Sequence, residues 1–469
     1  MAQRRDFLKI TGLVGAGILS EFANPVLGSP SVPTHRTPDR TGTDGFNMSG
    51  FAAPKLDTVR IGFVGLGNRG PAAVERMGFI EGVEIKALCD IRPEKANAVK
   101  KKLEGSIHQP QVYTDDGEAW KKLCEQKDLD LVYIATPWAL HTPIAVYAMK
   151  HGKHVCVEVP AAKTIDECWQ LVETSESTRK HCMMLENCCY DFFELLTLNM
   201  VRQGILGDIV HGEGAYLHFL LDENFSKDYY YDFWRLKENF RNGNLYPTHG
   251  LGPVAQVMNI NRGDRMDMLT SGQSQDFSMH ARAVSLAATD SIYSTYTDKK
   301  FRGNTNITSI RTNEGKSILL QHDVSSPNIY SRIYRISGTK GSVLKYPLPG
   351  KIGIGHEDWL TGAEYDKMEN TYSPPIIKKM GEMAKQVGGH GGMDFLMDWH
   401  TIDCLRNGLP LDMDVYDAAA WSSIAPLSEW SVANDSKPIA IPDFTRGHWK
   451  TNTPVDISLE KGGTTGIRK

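Results

Sequence analysis

Residues 59–70, VRIGFVGLGNRG, constrain this chain more than any other stretch. The apolar run at 59–65 reads as a strand buried on both faces. Gly65, Gly67 and Gly70 form a G-x-G-x-x-G turn, and AAVERMGFI follows it with helical character. Each glycine has its own task in such a turn. Gly65 permits the tight reversal, Gly67 lets the backbone approach a pyrophosphate, and Gly70 lets helix pack close to strand. The helix N-terminus then aims its N–H groups at the phosphates. A second strand, VEIKALCD, ends in Asp90, twenty residues beyond Gly70. A carboxylate there accepts from ribose hydroxyls and repels a 2′-phosphate, so the pattern predicts NAD over NADP, with Arg92 as a nearby opposing charge.

The pattern repeats as an α/β alternation. LDLVYIATP (129–137), HVCVEVP (154–160) and HCMMLEN (181–187) read as three more strands. Helical stretches lie between the strands, among them PEKANAVKKKL, TPIAVYAMKHG and IDECWQLVETSESTRK. This predicts a parallel sheet with right-handed crossovers, an NAD-binding Rossmann domain over 55–187. At 469 residues the chain exceeds one ordinary core. After a helix, FFELLTLNMVRQG, it turns strand-rich: IVHGEGAYLHFL (209–220), MDMLTSGQSQ, NTNITSIRTN, SILLQHDVSS, IYSRIYRISG and GSVLKYP. Helices return at 393–408 and 417–434. The expectation is an α+β domain over 188–450, with a mostly antiparallel open sheet for substrate and oligomerisation, then a tail over 451–469.

The first 28 residues read differently. Arg4-Arg5 precedes the short apolar run TGLVGAGIL, the order of a twin-arginine (Tat) export signal. A Ser/Pro/Thr/Gly-rich linker over 29–54 follows. The expected location is periplasmic or secreted, with the Tat machinery as a partner. Free NAD is scarce there, so the nucleotide is expected to be loaded before export and kept. A net charge of −4 gives no reason to expect nucleic acid. The eight cysteines and the histidines show no zinc spacing, so no metal is expected.

Ligands in an open α/β sheet sit beyond the carboxyl ends of its strands. That places Trp138, Ala139, Leu140 and His141, after ATP, beside the cofactor; packing or capping is the alternative for His141. The fourth strand ends Glu158-Val159-Pro160. Farther on, Tyr246-Pro247-Thr248-His249 sets a phenol and an imidazole three residues apart. Histidine can shuttle protons near neutral pH. Tyrosine offers an apolar face and a hydroxyl to a sugar. A polar helix start capped by Thr248 is the competing reading. Trp234 and Arg235 lie in an aromatic stretch suited to sugar or to an interface.

The order G-x-G-x-x-G, ATP-x-x-x-H and E-x-P resembles the Gfo/Idh/MocA oxidoreductases. That strand usually ends Glu-Lys-Pro, and the lysine serves sugar dehydrogenation. Here the position is Val159, which can neither move a proton nor polarise a hydroxyl. GLGNRG, TPWALH, EVPAA, LENCCYDFFELLTLNMVRQG, RNGNLYPTHGLGP and HDVSSPNIYSR together resemble glycoside hydrolase family 109, whose characterised members are NAD-using α-N-acetylgalactosaminidases. The resemblance implies that Asn68, Arg69, Asp90, Trp138 to His141, Glu158, Val159 and Asn187 hold NAD. It implies that Tyr216, Arg235, Tyr246 to His249, and Tyr330 meet a glycan or glycoside. Tyr216 and Tyr330 could otherwise be sheet surface. A homodimer through the open sheet is a further implication.

The mechanism implied is redox-neutral. NAD takes hydride from C3, a base removes the acidified C2 proton, and the C1 substituent leaves. Water adds, and hydride returns with retention at C1. His249 and Tyr246 are the candidates for the proton steps. Spacing identifies no carboxylate pair of the ordinary glycosidase kind. Two rivals remain: an NAD-dependent sugar or cyclitol oxidoreductase, and a non-catalytic sugar-binding protein with structural NAD.

Overall fold

The computed structural model describes residues 45–114 and 117–468. The export signal and most of the linker lie outside the described residues. Two sheets organise the rest. The first has six parallel strands in the order β3-β2-β1-β4-β5-β6. They are β1 (Val59–Val64), β2 (Val83–Cys89), β3 (Gln111–Tyr113), β4 (Leu131–Ile134), β5 (His154–Val157) and β6 (Cys182–Met184). The order reverses between β1 and β4, and a crevice opens there beyond their carboxyl ends. Every residue of β4, β5 and β6 is buried, as apolar runs without alternation predict. β3 has no counterpart among the expected strands. It is a three-residue edge strand, polar at Gln111 and buried on neither face, so it leaves no apolar run to read.

The second sheet has eight strands in the order β13-β12-β11-β7-β10-β9-β8-β14. They are β7 (Ile209–Leu217), β8 (Met266–Gln273), β9 (Thr305–Thr312), β10 (Ser317–Asp323), β11 (Arg335–Gly338), β12 (Gly341–Leu344), β13 (Lys351–Ile354) and β14 (Ile439–Ala440). All neighbours are antiparallel except β7 and β10. β13 and β14 are short and were not expected. The strand expected over IYSRIYRISG is a correction: only Arg335–Gly338 pairs as a strand. Ile333 and Tyr334 take φ values of 59° and 45°, which turns the backbone out of the ladder. One isolated bridge, Leu217 with Ser331, remains upstream.

Two features bring the sheets to one site. The helix Thr248–Val257 lies on β7 so closely that a Cβ on Gly214 would meet the Gly250 carbonyl oxygen at 2.2 Å. Two facing glycines thus seat the helix start against Tyr216. The helix Met393–Asn407 is almost wholly buried and packs on the helix Gly70–Gly78 that follows the glycine turn. There Arg76 of the Rossmann domain pairs with Asp398 at 2.8 Å.

Both flanking segments are tied down. Met48 is buried, and its N–H donates to the Tyr416 hydroxyl. Ile467 bridges Ile80 at the far end of the chain. All eight cysteines are buried and none is in a disulfide. No helix among the described residues is long and apolar enough to cross a membrane.

Candidate functional site

A cavity of about 430 Å³ opens at the crevice between the two sheets. One half is built by the Rossmann strand ends. Gly65 has φ +94°, and a Cβ there would strike the Ala135 carbonyl at 2.5 Å. The turn therefore needs glycine on both steric and torsional grounds. Gly70 is space-limited as well, its Cβ position lying 2.0 Å from the Gly65 oxygen. Gly67 differs: a Cβ there would meet only the Arg92 side-chain tip, at 3.3 Å. Its open face toward the cavity is what a phosphate needs for close approach. Asp90 receives the Leu66 N–H at 2.7 Å and the Arg92 N–H at 2.9 Å, which fixes its carboxylate at the cavity wall. These residues fit a dinucleotide.

The other half is built on β7 and the start of the helix Thr248–Val257. Tyr216, Tyr246 and His249 form one aromatic cluster, with ring centroids 4.6 to 5.4 Å apart. Arg235 lies 5.0 Å from the Tyr246 ring centre and 5.2 Å from that of Trp138. Trp138 in turn stacks on Tyr246 at 5.8 Å, joining the ATP loop of the Rossmann domain to this cluster.

Glu186 lies behind His249, at 0% exposure. Its Oε1 is 2.7 Å from His249 Nδ1. A carboxylate acceptor places the hydrogen on Nδ1 and leaves the Nε2 lone pair for the cavity. Burial pushes the Glu186 carboxyl up, but the His249 charge and hydrogen bond hold it below its ordinary value. Burial also pushes the Tyr246 phenol far up, and the Tyr216 phenol adds to the push against Arg235. Tyr246 therefore stays a hydrogen-bond donor near neutral pH. Among the described residues, the cavity wall carries two carboxylates, Asp90 and Glu158. Asp90 is held in the glycine turn, and Glu158 pairs with Arg69 at 3.0 Å.

The aromatic segment 229–235 closes over the nucleotide half. Asn68 donates its amide to the Tyr229 carbonyl at 2.7 Å. The Arg92 guanidinium lies 4.7 Å from the Tyr231 ring centre, and Trp234 packs edge-on against Trp138 at 5.5 Å. A fourth clasp joins Arg69 to Asp394 at 3.3 Å, beside His390. Asn187 donates to the same Asp394 carboxylate.

Most residues singled out in the sequence line this one cavity: Gly65, Gly67, Asn68, Arg69, Asp90, Trp138, Leu140, His141, Glu158, Val159, Asn187, Tyr216, Arg235, Tyr246 and His249. Gly70, Ala139, Pro247 and Thr248 do not. Gly70 packs beneath the turn. Pro247, not Thr248, occupies the cap position of its helix, so the competing reading of a threonine cap does not hold. His141 is wedged between the Pro160 and Thr136 carbonyls, at 2.7 and 2.8 Å, and so braces the ends of β5 and β4. Tyr330 lines a second, adjoining cavity.

Glu186, His218 and His390 also belong to the site without standing out in the sequence, and Tyr229 to Tyr231 join it as part of the aromatic stretch around Trp234 and Arg235. Glu186 had one usable signal: it is a carboxylate at the end of an apolar strand, next to Asn187. Glu186, Cys188 and His249 also bring potential ligand atoms within 4.8 Å of one another. Burial pushes the Cys188 thiol far up, however, and Glu186 is already engaged with His249.

Similarity to known proteins follows the same two-part division. Residues 190–451 match the family described as glycosyl hydrolase 109, C-terminal domain, and residues 59–186 match that described as oxidoreductase family, NAD-binding Rossmann fold. The chain is 49% identical over 421 residues to glycosyl hydrolase family 109 protein 1 of Bacteroides fragilis, covering 86% of this chain and 89% of that protein. It is 48% identical over 422 residues to an α-N-acetylgalactosaminidase of the same species, covering 88% and 97%. Levoglucosan dehydrogenase, solved with NADH and levoglucosan, shares the fold at a TM-score of 0.61 and 16% identity, over 82% of this chain and 100% of that one.

Proposed function

The chain belongs to glycosyl hydrolase family 109, and from that premise we propose that it removes terminal α-N-acetylgalactosamine from glycans, with NAD held in place as a built-in reagent. One observation carries the proposal: the glycine turn and the Glu186-His249 pair serve a single cavity. A dinucleotide site shares its walls with a general base, and among the described residues no second free carboxylate faces that base. Ordinary glycoside hydrolysis needs two carboxyl groups flanking the bond. The two on this wall are committed to the glycine turn and to Arg69.

Gly67, Asn68, Arg69 and Asp90 would hold NAD, which supplies reversible hydride transfer at a ring carbon of the sugar. The chain's own side chains do the rest. His249 Nε2 takes the proton from the neighbouring ring carbon, and Glu186 steadies the imidazolium that results. Tyr246 donates a hydrogen bond to a sugar oxygen. Arg235, held among the rings of Trp138, Tyr230 and Tyr246, orients the hydroxyls. Val159 supplies a wall where a dehydrogenase of this fold would carry lysine. The clasps from Tyr229, Tyr231 and Trp234 support a cofactor that stays bound between turnovers.

The purified protein, with no nucleotide added, is expected to cleave a chromogenic α-N-acetylgalactosaminide through many turnovers. Absorbance at ~340 nm, where reduced nicotinamides absorb, stays flat throughout. NADH accumulating with product would make the protein a net oxidoreductase instead.

A further inference from the structure

A second cavity, of about 740 Å³, adjoins the first. His390 lines both. Tyr330 forms the rest of the shared wall. Its ring meets Tyr216 edge-on at 6.4 Å and His218 at 5.0 Å, both in the first cavity. On its other side it meets Tyr346 at 6.1 Å, inside the second. An aromatic track thus runs from Tyr246 through Tyr216 and Tyr330 to Tyr346.

The segment that presents Tyr330 is held in an unfavourable shape. Ile333, a β-branched residue, has φ 59°, and Tyr334 follows at 45°. Left-handed backbone at such residues is unfavourable and persists only where the surroundings impose it. Here a buried quartet imposes it. Arg332 pairs with Asp191 at 2.7 Å and Glu194 at 2.6 Å, and Lys345 pairs with the same two carboxylates. The two cations also lie 5.5 and 5.6 Å from the Tyr346 ring centre. Arg332, Lys345 and Asp191 line the cavity and Glu194 stands behind them, so each cation is already engaged by carboxylates. The rim is apolar: Ile329 is 92% exposed and Leu348 66%. Rigid phenol rings, an apolar rim and ion-paired polar groups suit a neutral pyranose, which has an apolar C–H face and a hydroxyl edge.

We propose that this cavity is the leaving-group subsite and takes the neutral sugar to which the terminal residue is attached. The inference rests on the glycosidase reading. If Tyr246 and His249 hold the terminal sugar, Tyr330 stands where its anomeric substituent crosses into the second cavity. The enzyme would then favour oligosaccharide substrates over simple alkyl glycosides.

Two variants test this. Tyr346→Ala removes the platform, and the double variant Ile329→Ser/Leu348→Ser alters only the exposed rim, where folding is not at stake. Each is compared with the unaltered enzyme on methyl α-N-acetylgalactosaminide and on a trisaccharide bearing the same sugar on lactose. The expected result is a fall of about 10-fold in kcat/KM for the trisaccharide, with the methyl glycoside unchanged within about 2-fold. Equal effects on both substrates, or none on either, would overturn the subsite. Saturation-transfer NMR with lactose on the NAD-containing protein separates this proposal from the activity itself. If the unaltered protein cleaves neither glycoside, the glycosidase reading fails. Lactose binding that the rim variant abolishes would still support the subsite, and no lactose binding would overturn it.

Discussion

Replacing His249 with alanine, together with Glu186→Gln, is expected to lower kcat by a factor of about 10²–10⁴, the usual contribution of a positioned general base. The double change is needed for a physical reason. Glu186 is fully buried, and His249 is its hydrogen-bond partner at 2.7 Å. Alanine alone would strand a carboxylate without a partner, and that costs several kcal/mol. With glutamine in place the pocket stays neutral, so lost activity reports lost chemistry. NAD should still copurify, because neither residue lies in the glycine turn. Glu186→Gln alone should also lower kcat while His249 remains. A glutamine amide can donate to Nδ1, which moves the imidazole hydrogen to Nε2 and removes the lone pair that faces the cavity. KM and NAD content should change little in that variant. Full activity in either variant would remove His249 from the role given to it.

Gly70→Ala is expected to remove NAD and activity together. The added carbon would lie 2.0 Å from the Gly65 carbonyl oxygen and 3.3 Å from Leu66 Cδ2. The nearer contact is with backbone in a turn that has little room to yield, because even a Cβ on Gly65 would meet the Ala135 carbonyl oxygen at 2.5 Å. Overpacking of this kind costs about 1–3 kcal/mol. The Rossmann domain should survive that cost, since β4, β5 and β6 are buried throughout, but the turn would shift. Nucleotide released on denaturation, measured per mole of protein, should fall to near zero, with a lower melting temperature. A variant that retains a full complement of NAD would contradict the geometry given for the turn.

The two halves of the site differ in how far they could be read from sequence. The nucleotide half is local. Strand, glycine turn, helix and Asp90 fall within residues 59–90, and each is dictated by backbone sterics that leave a signature in residue type. The other half is assembled over distance. Glu186 meets His249 across 63 positions, and Arg69 meets Asp394 across 325. No periodicity encodes those meetings. Tyr246 and His249 stood out as a pair, yet their division of labour depends on Glu186 behind one ring and on burial around the other. The segment 329–334 reads as strand because it is β-branched and aromatic. It leaves the sheet because Arg332 is drawn into a buried ion cluster that lies far away in sequence. The edge strands β3, β13 and β14 are too short to stand out against loop.

Deuterium in the released sugar reports whether C2 loses its proton in each turnover. With His249 taking a proton from C2 and returning one during each turnover, a proton from solvent is incorporated. N-acetylgalactosamine released in D2O should carry deuterium at C2, seen by mass spectrometry and by loss of the H2 signal in the NMR spectrum. Recovered substrate and free sugar incubated without enzyme serve as controls. Product formed at full rate with hydrogen retained at C2 would contradict the account and would point to direct displacement at C1.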